Sequence, residues 1–209
     1  MKQLSGIDAT FLYMETDQTP MHVAGLTLYD LPKGFKGSFH KHFTKFFKGR
    51  VHLVPIFGMK LAKAAYELDH PGWVDAGELD FDYHVQSAKL PKPGTLKQLE
   101  DLVAELHSTT LDRSKPLWQF TIIEGIEGRQ AALYSKVHHA AVDGGAGMVI
   151  TQALYDVTEE PREVEPAQPK PEVRVPSQPE RAVLTLHDII SNVTRQHAGI
   201  RAQDDEPDD

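Results

Sequence analysis

Between residues 157 and 182 the chain reads VTEEPREVEPAQPKPEVRVPSQPERA, a run that holds six of its fourteen prolines. Each proline fixes φ and deletes a backbone donor, so a stretch this dense can enter neither a helix interior nor a central strand. It is expected to be an extended, semi-rigid linker, and any core must come from residues 1–156. Past the linker, Val183, Leu186, Ile189, Ile190 and Val193 recur at helical spacing within 183–200. That amphipathic helix has no sequence neighbour to pack on, and we read it as leading toward a second domain. Residues 201–209, with the terminal DDEPDD, form a solvated acidic tail.

Residues 1–156 alternate between strand and helix patterns. Met21 to Tyr29 is a strand candidate, and Ser38 to Lys48 a basic, phenylalanine-rich helix. Thr95 is placed to cap a helix whose third position, Gln98, completes a capping box. In that helix Leu96, Leu99, Val103 and Leu106 make one apolar stripe. Two strands, Leu117–Glu124 and Gln130–His139, flank the short turn Gly125-Ile126-Glu127-Gly128 and read as a hairpin. After a tight Asp143-Gly144-Gly145 turn, Ala146, Val149, Ile150, Ala153 and Leu154 form the buried face of another helix. The order predicts an α/β (α+β) domain, a mixed β-sheet packed with helices.

The bulk properties remove whole classes of function. A formal net charge of -8 argues against nucleic acid as a partner, because such binding rests on neutralising phosphates. The absence of cysteine excludes disulfides, thiolate metal sites and a cysteine acyl-enzyme. No apolar run approaches the ~20 residues that cross a bilayer, and the first residues lack the apolar core of a signal peptide. A cytoplasmic protein, attached at most to a membrane surface, is expected.

Chemistry concentrates in Ser135-Lys-Val-His-His-Ala-Ala-Val-Asp-Gly-Gly145. Period-two alternation sends Leu133, Ser135, Val137 and His139 to one face of their strand and His138 to the other. The two histidines therefore have different tasks and are poorly placed to share a metal, so no metal site is expected. His139 sits where a rigid strand turns into a loop, a position that can open on a cleft. A neutral imidazole there can take a proton at cellular pH. Asp143 can brace the turn or orient an imidazole, and Gly144 and Gly145 allow close approach by a ligand. The plainer alternative makes His138 a packed or capped histidine and Asp143-Gly144 merely a turn.

HHAAVDG matches the HHxxxDG motif of the coenzyme A-dependent acyltransferase superfamily, which includes chloramphenicol acetyltransferase and peptide-synthetase condensation domains. LSGIDATFLYMET, TPMHVAGL, FDYHVQSAKLPKPG and LDRSKPLWQFTIIEGIEGRQAALYSKVHHAAVDG narrow this. Over residues 4–156 the chain resembles bacterial wax ester synthase/diacylglycerol acyltransferases. The resemblance implies a chloramphenicol acetyltransferase-like domain, one of two that sandwich the active site. It implies acyl transfer from acyl-CoA, a co-substrate rather than a bound cofactor, to a long-chain alcohol or to diacylglycerol. His139 would be the general base, and Asp143 would be chiefly structural, with Arg113 a candidate partner. Gly144 would keep the space beside the base open. For Pro116, Leu117 and Trp118 a buried anchor for the hairpin is preferred to contact with an acyl chain. Because the second domain is lacking, these residues alone are expected to turn over little or nothing.

From Leu31 to Tyr66 there are eight Lys/Arg and no acidic residue. Lys41, Lys45 and Lys48 share one helical face, and Phe39, Phe43 and Phe46 another. The lysines could meet anionic lipid at an inner-membrane or lipid-droplet surface, or CoA phosphates. For the phenylalanines, a core-facing stripe is preferred. Two rival readings remain: the same chemistry on another acceptor (an amine or a small alcohol), and a non-catalytic lipid- or acyl-binding module.

Overall fold

The computed structural model describes residues 2–62, 70–142, 146–156, 158, 160–168, 177, 179, 180, 183 and 186. The chain starts with β1 (Lys2–Gln3), α1 (Gly6–Met14), β2 (His22–Asp30) and α2 (Phe39–Lys48). Short 3-10 turns at Val51–Leu53 and Pro55–Gly58 lead to β3 (Met59–Ala62), β4 (Gly72–Asp75), α3 (Phe81–His84) and β5 (Val85–Lys89). There follow α4 (Leu96–Ser108), β6 (Trp118–Ile126), β7 (Gln130–His138), a 3-10 turn at His139–Ala141 and α5 (Ala146–Leu154). The main sheet has the order β2-β7-β6-β5, antiparallel except for the parallel pair β5–β6, and β1, β4 and β3 form a small second sheet. The mixed sheet with helices is thus the one expected.

Alternation along the central strands puts apolar residues on both faces. Phe120, Ile122, Leu133 and Val137 join Leu12, Phe43, Phe47 and Ala153 in one core cluster. Ile123, Ile126, Ala132 and Tyr134 meet Leu99, Leu102, Val103 and Leu106 of α4 in the other. The sheet is therefore a packed layer between α4 on one side and α1, α2 and α5 on the other. Helix starts follow their capping residues: Ser38 receives the Lys41 N–H, and Thr95 with Gln98 forms the expected capping box.

Several boundaries differ from expectation. Leu96 is 54% exposed, and Leu102 takes its place on the buried face of α4. In α5 Ala153 and Leu154 are buried and Ile150 packs on them, while Val149 is exposed and the side chain of Ala146 lies outside the described residues. Gly125 belongs to β6 rather than to the turn: at φ 87° it makes a bulge, and Ile126 still pairs with Gln130. That conformation lets the loop before α4 approach. A Cβ on Gly94 would lie 1.9 Å from the Gly125 carbonyl oxygen, which excludes any side chain there. β7 stops at His138, one residue short of the expected end.

Residues 160–168 have neither helix nor strand and are mostly exposed, as the prolines demand. They are nevertheless tied down. Arg50, 4% exposed, donates to the Arg162 carbonyl at 3.0 Å and pairs with Asp156 at 2.9 Å, and the His52 ring donates to the Glu165 carbonyl. Val183 and Leu186 are helical and exposed, and the rest of the expected helix, with the acidic tail, lies outside the described residues.

Candidate active site

Strand β7 delivers its two histidines to unlike environments, because the chain leaves the sheet between them. The His138 N–H donates to the Leu117 carbonyl and the His139 N–H to the Met21 carbonyl, so both flanking strands hold the point where β7 turns. The His138 side chain is fully buried, and its Nδ1 accepts the Ala140 N–H at 3.0 Å. It thereby caps the 3-10 turn that carries His139. An acceptor at Nδ1 places the ring proton on Nε2, which lies 3.4 Å from Glu15 Oε1. Burial pushes the His138 pKa down to about 4 against the opposing pull of Glu15, so the ring is neutral at physiological pH. His138 is the capped, packed histidine of the plainer reading.

His139, by contrast, is half-buried. Its imidazole lies flat on the ring of Phe11, with centroids 3.9 Å apart and planes at 13°. Phe11 comes from α1, whose C-terminal cap is Glu15. The Glu15 side chain is only 4% exposed yet fully partnered. Oε1 accepts the Met21 N–H at 3.0 Å, and Oε2 accepts from Arg113 Nε at 3.0 Å and Nη2 at 2.8 Å. Burial alone would raise the Glu15 carboxyl pKa; the Met21 N–H and the Arg113 guanidinium outweigh it and hold it below the usual carboxylate value. A third donation from Arg113 closes the Leu12 carbonyl at the end of α1.

Sequence reasoning offered Arg113 to Asp143; the partner found among the described residues is Glu15, while Asp143, Gly144 and Gly145 lie outside them. Glu15 and Phe11 were both missed. Phe11 lies in α1 and Glu15 caps its end, and nothing local marks either: the cation that a buried carboxylate requires stands 98 residues away.

Pro116, Leu117 and Trp118 are buried. Trp118 is 1% exposed, donates its Nε1–H to the Phe57 carbonyl at 2.9 Å and stacks between Phe57 and His84. A ring sealed in this way anchors the start of β6 and has no face left for an acyl chain. Lys41, Lys45 and Lys48 are exposed on α2, with Lys48 Nζ 4.8 Å from the Phe81 ring centre. Phe43 and Phe47 are buried and Phe39 packs on the core; Phe46 instead receives the Arg50 guanidinium on its face. Among the described residues no group of His, Asp and Glu could hold a metal ion, and no helix is long and apolar enough to cross a membrane.

Known proteins share both the sequence and the fold. The model of the wax ester synthase/diacylglycerol acyltransferase catalytic domain matches residues 4–206, farther than the 4–156 over which the motifs are recognisable. O-acyltransferase WSD of Acinetobacter baylyi is 41% identical over 162 residues, 76% of this chain and 34% of that protein. A Mycobacterium tuberculosis protein that bears the name diacylglycerol O-acyltransferase is 34% identical over 173 residues, 81% of this chain and 38% of its own. The solved wax ester synthase/diacylglycerol acyltransferase of Marinobacter aquaeolei superposes with a TM-score of 0.61 at 36% identity, covering 70% of this chain and 36% of that one. The first condensation domain of a calcium-dependent antibiotic synthetase, at 12% identity and TM-score 0.57, shares the fold. The chain spans little more than a third of the length of these relatives. By the reach of the family match and the identity of its relatives, it belongs to the wax ester synthase/diacylglycerol acyltransferase family.

Proposed function

We propose that this chain supplies the base-bearing half of an enzyme that transfers a fatty acyl group from acyl-CoA to a long-chain alcohol or to diacylglycerol. One observation carries this reading: of the two motif histidines, His138 is sealed and neutral, while His139 stands just past the end of a rigid strand and is only half-buried. In the reaction His139 takes the hydroxyl proton as the alcohol oxygen attacks the thioester carbonyl. The tetrahedral intermediate collapses, the C–S bond breaks, and the imidazolium returns the proton to the leaving CoA thiolate. General-base help of this kind is worth roughly 10²–10⁴ in rate. No acyl-enzyme is needed, in keeping with a chain that has no cysteine. The relatives are longer, and the second domain that would close over His139 belongs to the same proposal, as does access to substrate from a membrane or lipid-droplet surface.

Thiol release from palmitoyl-CoA, with hexadecanol or diacylglycerol as acceptor, tests the reading. The assay uses this chain alone and joined to the C-terminal portion of the Acinetobacter baylyi relative. Release should require the acceptor and fall at least ~100-fold in His139→Ala. Acceptor-dependent release that survives the substitution would remove His139 as base. A folded, complete protein inactive with both acceptors would favour another acceptor class or a binding module.

A further inference from the structure

Helix α1 and its C-terminal cap meet the histidine turn at two residues four apart, Phe11 and Glu15. Glu15 accepts the Met21 N–H, and the Met21 carbonyl accepts the His139 N–H, so the backbone of His139 is fixed through one residue. The ring is a separate matter, since χ1 and χ2 remain free once the backbone is held. Among the described residues no group hydrogen-bonds the His139 imidazole; what defines its plane is the parallel face of Phe11, 3.9 Å away. Phe11 is half-buried and packs on the core, so its own ring is held in turn.

We propose that Phe11 is a positioning residue for His139, doing through stacking what a hydrogen-bonded partner does for many catalytic imidazoles. The role rests on His139 being the base. The flat contact restricts the imidazole to one plane, so that its free nitrogen meets the acceptor hydroxyl along a set direction. It also responds to charge. An aromatic face is electronegative, and when His139 takes the proton the imidazolium forms directly against it. An attraction that grows as the proton moves favours the transition state over the ground state, and belongs to kcat rather than to KM. A leucine of similar bulk would fill the space but has neither the flat face nor the quadrupole.

Two readouts test this. The carbon-bound ring protons of His139, identified by their loss in His139→Gln, should be shifted upfield by the Phe11 ring current. They should move downfield in Phe11→Leu and keep their place in Phe11→Tyr. This measurement uses the 209-residue chain and needs no turnover. In whichever form of the protein releases thiol, Phe11→Leu should lower kcat roughly 3- to 30-fold with KM for both substrates within about twofold, and Phe11→Tyr should restore it. Should the leucine variant fail to fold, Phe11→Met takes its place. Ring protons unmoved by the loss of Phe11 would overturn the stack. Wild-type kcat in Phe11→Leu, with His139→Ala inactive, would overturn the positioning role alone. Full turnover in His139→Ala would overturn the base and the positioning role together.

Discussion

His138 makes the site sensitive to acid through a group that does no chemistry. Its unfolded imidazole would protonate below about pH 6.5, whereas burial holds the folded one at about 4. Between those values the unfolded chain binds a proton that the folded chain refuses, so stability is complete above about pH 6.5 and drains away as pH falls toward 4. From pH 7 to pH 5 this single group should cost about 2 kcal/mol. His138→Asn keeps an acceptor close to the position of Nδ1 for the Ala140 N–H and cannot titrate. The variant should therefore lose about 2 kcal/mol less over the same interval, as read from urea midpoints at the two pH values. Parallel losses in the two proteins would show that His138 is not the group responsible. That the two histidines have unlike surroundings was legible from strand alternation and the motif, although the difference arises because β7 ends at His138 and His139 lies in the 3-10 turn beyond it. Glu15 was not, because its partner Arg113 stands 98 residues away, and no local period reports a pairing of that span.

At the scale of elements, the sequence was most readable where one turn carries its own hydrogen bonds. The capping box of Thr95 and Gln98 is local, and it starts α4 where the sequence placed it. Which residues the helix then buries depends on what it lies against. Leu96 is about 60° around the axis from Leu99, at the margin of the stripe and in the first turn, and it stays in solvent while Leu102 on the opposite margin packs. Helix α2 shows the same logic with charge. Phe39, Phe43 and Phe47 are spent on the core and Phe46 is covered on one face by Arg50, so the exposed lysine row is the part of the helix free to meet a membrane. Any docking through Lys41, Lys45 and Lys48 is then electrostatic, worth about 1 kcal/mol per lysine at an anionic surface. Replacing all three by glutamate should weaken co-sedimentation with phosphatidylserine-containing vesicles at least ~100-fold. Added salt should weaken the wild-type protein in the same direction. Unchanged co-sedimentation of the triple variant would exclude α2 as the contact.

Across the whole molecule, the mixed sheet followed from the alternation of strand and helix patterns, but its order did not. That β5 lies parallel to β6, and that β2 forms the far edge beside β7, are long-range pairings that periodicity cannot rank. Residues 160–168 show the reverse error: their lack of helix and strand was legible in their prolines, and their attachment was not. Prolines keep 160–168 out of helix and strand, yet Arg50 reaches from the end of α2 to bind Asp156 and the carbonyls of Ala153 and Arg162. A guanidinium with five donors can hold a helix end and an extended strand of chain together, which a hydrophobic contact with a proline-rich segment could not do. Of the contacts that direct the chain out of α5, those of Arg50 are buried, with the His52 ring holding the Glu165 carbonyl farther on. Arg50→Met preserves the contact with Phe46 in bulk and removes every donor. Tryptic cleavage after Arg162 should then become several-fold faster, because the local opening that exposes the bond no longer breaks these hydrogen bonds, while sites in β6 and β7 keep their resistance. Equal cleavage rates at Arg162 in the two proteins would mean that the segment is held by something other than Arg50.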